Sequence, residues 1–260
     1  MKRISLFLVI SFCLLLTPML YAQGWEQVGQ EGDWKNTVGV VSMNGYLYSL
    51  EKNGTLFRTD KNGKYEQVGG EGSFSDVDFG VALDGEIWTI ENGNLYRSDT
   101  KSLTWMQVGK AGDWKNTVAA TAMEGKLYTI ETDGTLYETS KDGSWKQIGA
   151  KGEFESVTML QAMDGYLWTV EGGTLYRNSL KAMKWQQVGE KGDFEETIAM
   201  VGDNGFLWSV EEDGTLFKND KNGNFKQIGD KGLLKEVNMI AAMGGKLYVV
   251  ENGTLYRTTN

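Results

Sequence analysis

From residue 25 onward, apolar and polar positions follow a pattern that repeats every 40 residues. Each unit opens with an aromatic residue, at Trp25, Tyr65, Trp105, Trp145, Trp185 and Phe225. Each opening is followed by x-Gln-(Val/Ile)-Gly-x-x-Gly, with the glutamines at Gln27, Gln67, Gln107, Gln147, Gln187 and Gln227. The third unit shows what lies between. Thr117–Met123 is small and apolar, as suits a strand near a crowded axis. Lys126–Glu131 is apolar on both faces of a two-residue period, as a strand packed on both sides requires. Thr135–Glu138 and Trp145–Ile148 predict a third and a fourth strand. The breaks between them, Glu124-Gly125, Asp133-Gly134 and Asp142-Gly143, are turn chemistry. Four short antiparallel strands in 40 residues is the size of one propeller blade, and the helical 3.6-residue period is missing. The fold class expected is all-β: a six-bladed β-propeller of four-stranded blades. Its phase is shifted by one strand, from a fourth-strand motif at Trp25-Glu26-Gln27-Val28 to a third-strand motif at Thr254-Leu255-Tyr256-Arg257. The N-terminal strand is therefore expected to complete the last blade and remove its open edge.

An 80-residue period lies over the shorter one. Odd units carry Gly-Asp-aromatic-x-x-Thr, as Asp33-Trp34-Lys35-Asn36, Asp113-Trp114-Lys115-Asn116 and Asp193-Phe194-Glu195-Glu196. Even units place Phe74, Phe154 or Leu234 at the corresponding point. A pseudo-threefold ring of blade pairs follows.

Residues 1–22 read differently. Lys2 and Arg3 precede an apolar run from Ile4 to Leu16, and Leu20-Tyr21-Ala22 ends the segment. That is the pattern of a signal peptide, and the run is too short to span a membrane. The domains expected are a signal peptide over 1–22 and the propeller over 23–260. The mature chain would be secreted, periplasmic or extracellular, with no transmembrane segment. Cys13 and Pro18, the single cysteine and the single proline, fall in this segment, and the chain has no histidine. Without residues 1–22 there are 24 basic side chains against 35 acidic ones, a net charge of −11. Such a surface repels phosphate backbones, which argues against a nucleic-acid partner.

Few residues point to chemistry. A glutamate recurs at Glu51, Glu91, Glu131, Glu171, Glu211 and Glu251, and recurrence in every blade favours a scaffold role over metal or sugar ligation. The Gly-x-x-Gly pairs precede strands rather than helices, so a phosphate loop is not indicated. Lack of histidine removes the commonest acid–base group and metal ligand. The mature arginines, Arg58, Arg97, Arg177 and Arg257, are spread around the ring rather than clustered on a substrate carboxylate. No catalytic residue, cofactor or metal is expected, and the protein is read as a non-enzyme.

The candidate ligand-binding residues are Asp33, Trp34, Asn36, Asp113, Trp114, Asn116, Asp193 and Phe194, on the loops entering odd blades. A ring beside carboxylates and amides suits a sugar: its C–H face stacks and its hydroxyls hydrogen-bond. The same rings also read as buried plugs between blades, because even units hold Phe74, Phe154 or Leu234 there. Both readings stay open at this point.

Three motifs together resemble the tectonin/tachylectin-like β-propellers over the whole mature chain. They are aromatic-x-x-(Val/Ile), Gly-x-Leu-(Trp/Tyr)-x-(Ile/Val) and Gly-x-Leu-Tyr-Arg. The last two occur as Gly165-Tyr166-Leu167-Trp168-Thr169-Val170 and Gly173-Thr174-Leu175-Tyr176-Arg177. The resemblance implies a propeller lectin that recognises glycans or glycoconjugates, often multivalently. The strict repeat and the Trp-x-Gln-Val-Gly-x-x-Gly signature depart from that family. The alternative is a non-catalytic protein-interaction or adhesion scaffold.

Overall fold

The computed structural model describes residues 24–99, 104–181 and 184–259; the expected signal peptide lies outside them. β1 (Trp25–Val28) opens the chain. Blade I follows with β2 (Thr37–Met43), β3 (Tyr46–Glu51), β4 (Leu56–Asp60) and β5 (Tyr65–Gln67). Blade II holds β6 (Val77–Leu83), β7 (Glu86–Glu91), β8 (Asn94–Asp99) and β9 (Trp105–Val108). Blade III holds β10 (Thr117–Met123), β11 (Lys126–Glu131), β12 (Leu136–Thr139) and β13 (Trp145–Gln147). Blade IV holds β14 (Val157–Met163), β15 (Tyr166–Glu171), β16 (Thr174–Asn178) and β17 (Gln186–Val188). Blade V holds β18 (Thr197–Asp203), β19 (Phe206–Glu211), β20 (Leu216–Asp220) and β21 (Phe225–Ile228). Blade VI holds β22 (Val237–Met243), β23 (Lys246–Glu251) and β24 (Thr254–Thr258), and β1 completes it. Each blade is one four-stranded antiparallel meander, and the ring closes as the phase of the repeat predicts. β1 pairs with β24 from Trp25 opposite Thr258 to Val28 opposite Leu255. Among the described residues no helix is long and apolar enough to cross a membrane.

The local geometry follows from a few residue types. The turn after each inner strand is a two-residue hairpin whose residues both have positive φ, as at Asn44-Gly45 (52° and 77°). A right-handed sheet twist favours that turn, and Asn, Asp or Gly with a following Gly reaches it at least cost. Every inner strand carries a bulge near its start, between Thr37 and Gly39 in blade I and at the same point in the other five. The extra residue leaves the ladder. It is exposed in each blade: Val38, Asp78, Val118, Thr158, Ile198 and Asn238.

Packing between blades forms the core. Tyr48, Trp88, Tyr128, Trp168 and Tyr248 are buried at mid-strand, and Trp208 is partly buried. Apolar clusters join neighbouring blades, as where Val28, Trp34 and Leu47 meet Tyr248, Val250 and Leu255. The loop into each blade is clipped to the preceding blade by one backbone bond. The N–H groups of Trp34, Phe74, Trp114, Phe154, Phe194 and Leu234 donate to the carbonyls of Gly253, Gly54, Gly93, Gly134, Gly173 and Gly214 at 2.9–3.1 Å. The turn glycine must be small because the next loop lies on it: a Cβ on Gly54 would sit 2.6 Å from the Ser75 nitrogen. The recurrent glutamines hold the other end of these loops. Gln27, Gln67, Gln147, Gln187 and Gln227 each donate Nε2 to the carbonyl two residues on.

Candidate functional site

Odd and even blades are closed differently at their outer edge, and a cavity recurs at each odd blade; a further one of about 180 Å³, lined by Phe74 and Trp105 among others, lies between blades I and II. In blades I, II and IV the ring on the entering loop meets the aromatic residue of the outermost strand. In blades II and IV the two rings meet edge to face, with Phe74 4.8 Å from Trp105 and Phe154 4.9 Å from Trp185. In blade VI, Trp25 is buried in one cluster with Leu233 and Leu234. In blade I the centroids of Trp34 and Tyr65 stand 6.5 Å apart. Tyr65, Trp145 and Phe225, the outer aromatics of the odd blades, remain 51%, 54% and 58% exposed.

The blade I cavity measures about 700 Å³. Asp33, Trp34 and Asn36 come to it from the entering loop, Glu51 and Lys52 from the turn after β3, and Phe57, Thr59, Tyr65 and Gln67 from the two outer strands. The blade III cavity repeats this with Asp113, Trp114, Asn116, Glu131, Tyr137, Thr139 and Trp145 in about 210 Å³. The blade V cavity shrinks to about 60 Å³ between Asp193, Phe194, Glu211, Phe217, Asn219 and Phe225. All eight sequence-derived candidates line one of these three cavities; Glu196, the blade V counterpart of Asn116, is not among the lining residues of the third.

Their roles within the cavities differ from one another. Trp34, Trp114 and Phe194 are 5%, 3% and 6% exposed, wedged between blades as the plug reading has it. Gly29 and Gly109 make room for them: a Cβ there would lie 2.6 and 2.5 Å from the Cη2 atoms of Trp34 and Trp114. These rings floor and back the cavities. The accessible faces belong to Tyr65, Trp145 and Phe225, openings of their repeats that are not among the eight sequence-derived candidates. The signal for them was present in the identities: the even blades use Trp25, Trp105 and Trp185 at this position, whereas the odd blades vary. Edge-to-face neighbours fix the accessible rings. Phe57 lies 6.0 Å from Tyr65, Tyr137 5.3 Å from Trp145 and Phe217 5.8 Å from Phe225.

The loop aspartates cap their own turns, Asp33 accepting from the Gln30 N–H at 3.1 Å and Asp193 from the Glu190 N–H at 2.7 Å. Asp113 instead accepts from the Trp145 indole N–H at 3.2 Å, which ties the exposed ring to the loop. The recurrent glutamates are half-buried. In odd blades each accepts a hydroxyl from its own inner strand, Thr37 to Glu51 at 2.6 Å, Thr117 to Glu131 at 3.0 Å and Thr197 to Glu211 at 2.8 Å. In blades IV and VI they accept loop N–H groups, from Ser156 and Lys235. Burial raises the pKa of all six, and the hydroxyl or N–H bond offsets part of that rise. At the rim of blade V, Glu196 is raised by sharing a hydrogen bond with Glu212. Among the described residues no group of three or more Asp, Glu, His or Cys side chains is placed to hold a metal ion.

The profile of the DUF6242 beta propeller domain matches residues 24–154, half of the chain. No curated protein matches it in sequence. Solved structures share the fold at low identity. A luciferin-regenerating enzyme superposes with a TM-score of 0.64 at 16% identity, over 91% of this chain and 95% of that one. PorZ, an essential bacterial surface component of the type-IX secretion system of Porphyromonas gingivalis, gives 0.61 at 11% identity over 86% of this chain. This chain spans 31% of PorZ. YCF48 bound to D1 peptide gives 0.57 at 16% identity, over 94% of this chain and 97% of that one. Enzymes and binding proteins are thus both among the similar folds.

Proposed function

The chain belongs to the DUF6242 β-propeller family, and on that scaffold we propose a non-catalytic carbohydrate-binding role exercised through the odd-blade cavities of one face. The observation that carries this reading is the pairing, in blades I and III, of a half-exposed ring with convergent carboxylates, amides and hydroxyls inside an open cavity. Tyr65 and Trp145 offer the faces on which pyranose C–H groups stack, while Asp33, Asn36 and Gln67, or Asp113 and Asn116, take the hydroxyls. Two or three weak sites on one rigid ring would gain avidity on a repeating glycan. The tectonin-like motifs support the same role. Residues 1–22 are proposed to direct export, which places the cavities where glycans are met.

A glycan-array screen of the propeller, followed by a Tyr65→Ala/Trp145→Ala double variant, tests the reading. Wild-type binding that the variant loses at unchanged melting temperature is the expected result. Retention of binding by the variant would move the site elsewhere. A blank array together with capture of a defined peptide would favour the protein-interaction scaffold, a use of the fold that peptide-bound YCF48 illustrates.

A further inference from the structure

The cavities of blades I and III share an electrical character that the glycan reading does not require. Asp33, Glu51 and Glu71 line the first against one cation, Lys52. Asp113, Glu131 and Asp133 line the second, with Lys151 lying 3.5 Å from Asp133 at its outer edge. Each cavity thus faces an accessible aromatic ring with an excess of carboxylate, the combination that attracts a cation both by charge and by the ring quadrupole. The hydrogen bonds already made to Asp33, Asp113, Glu51 and Glu131 engage one oxygen each, and a carboxylate has capacity for more.

A second observation points to a ligand independently. Thr59 and Thr139, at equivalent positions of β4 and β12, line the two cavities and are 1% exposed. The hydroxyl of each is buried without a hydrogen-bond partner. Orphaned buried polar groups are costly and rare, and a ligand group that reaches them removes the cost. The blade V counterpart, Asn219, is satisfied: its amide donates to the Leu207 carbonyl at 3.2 Å and to the Ser209 hydroxyl at 3.1 Å.

We propose that the cavities of blades I and III select a sugar bearing a protonated amine, seated between the exposed ring and the carboxylates, with the buried threonine hydroxyl accepting from the ammonium or bonded to a sugar hydroxyl. The proposal rests on the carbohydrate-binding reading and narrows it to amino sugars without an N-acyl group. Blade V, with its small cavity and satisfied floor, takes no part. The net charge of −11 carried beyond residue 22 draws such ligands toward the ring. Glu51 and Glu131, whose ionised forms are disfavoured by burial, regain a counter-ion when the ammonium binds.

Calorimetric titration with three tetrasaccharides decides it: the β-1,4-linked glucosamine oligomer, its N-acetylated counterpart and the glucose equivalent. At a pH below that of amine titration, the glucosamine oligomer should bind at least about tenfold more tightly, the equivalent of one charge-assisted hydrogen bond. Its affinity should fall as the amine deprotonates. It should fall again in acid as Glu51 and Glu131 take up protons, beginning above the usual carboxylate range. An Asp33→Asn/Asp113→Asn variant keeps the shape and should erase the preference; if it fails to fold, the acetylated oligomer gives the same contrast on unaltered protein. Equal binding of all three sugars overturns the amine proposal and leaves the carbohydrate reading standing. No binding of any of them overturns the amine proposal, and the glycan array then decides the carbohydrate reading separately. Equal affinity for a lysine tetrapeptide would show that ammonium alone is read, and the sugar assignment would fall.

Discussion

At the scale of single residues, the six half-buried glutamates give the fold a measurable pH signature. Their pKa values are raised in the folded state by burial, so the native protein binds more protons than the unfolded chain just above the ordinary carboxylate range. Stability from this source is fully present below about pH 4.3 and is lost as pH rises through the raised values. Exposed aspartates act oppositely. Hydrogen bonds from Thr215 and Lys231 hold Asp213 at about 2, and Asp133 and Asp220 are lowered by their own turn contacts, so their contribution disappears in acid. Urea midpoints measured across pH should therefore peak in the carboxylate range and decline on both sides. Glu131→Gln, which keeps an acceptor for Thr117 and removes the charge, should flatten the alkaline decline. An unchanged slope in this variant would mean that Glu131 is solvated in the native state. The glutamates were legible in the sequence as scaffold by their recurrence. Which group each would meet was not, because Thr37 reaches Glu51 only after the inner strand folds back alongside it.

At the scale of elements, the entering-loop ring and the outer-strand ring of an odd blade differ in burial. Trp114 plugs the space between blades II and III within one cluster that includes Trp88, Ile90 and Leu95. Trp114→Ala leaves a cavity in that cluster and should cost about 3–5 kcal/mol in denaturant unfolding. Trp145→Ala removes an exposed ring held chiefly by Tyr137 and the Asp113 bond. Its cost should be about 1 kcal/mol or less, with the effect falling on ligand binding instead. If the two variants proved equally destabilised, the separation of plug from binding face would be wrong. The alternation of 80 residues showed where odd and even loops differ. It did not show which ring of a pair turns outward, since both are aromatic residues of similar size flanked by polar ones.

For the molecule as a whole, closure depends on a strand more than two hundred residues from its partners. β1 buries Trp25 and Val28, and Glu26 pairs with Arg257 at 2.6 Å. Arg257 also donates to the Lys61 carbonyl, tying the closing blade to the hairpin of blade I, as Arg177 does from blade IV to Lys221. A chain beginning at residue 31 loses the outer strand of blade VI and exposes the edge of β24. Its melting temperature should fall, and light scattering should show association through the open edge. A truncated protein that melted unchanged and stayed monomeric would refute this account of closure.

The sequence by itself determined the number of blades, the strand order within each, the hairpin turns and the closing role of β1. These rest on short-range periodicity and turn chemistry repeated six times, so each unit confirms the others. Tertiary structure alone decided that Trp34 and Trp114 face inward and Tyr65 and Trp145 outward. It also graded the three cavities and left Thr59 and Thr139 unpaired while Asn219 is satisfied. Those outcomes depend on the spacing of side chains to within an ångström or two, as in the step from 4.8 Å between the rings of Phe74 and Trp105 to 6.5 Å between those of Trp34 and Tyr65. Such differences arise where side chains of two units compete for one space, and a pattern read along one chain does not contain that competition.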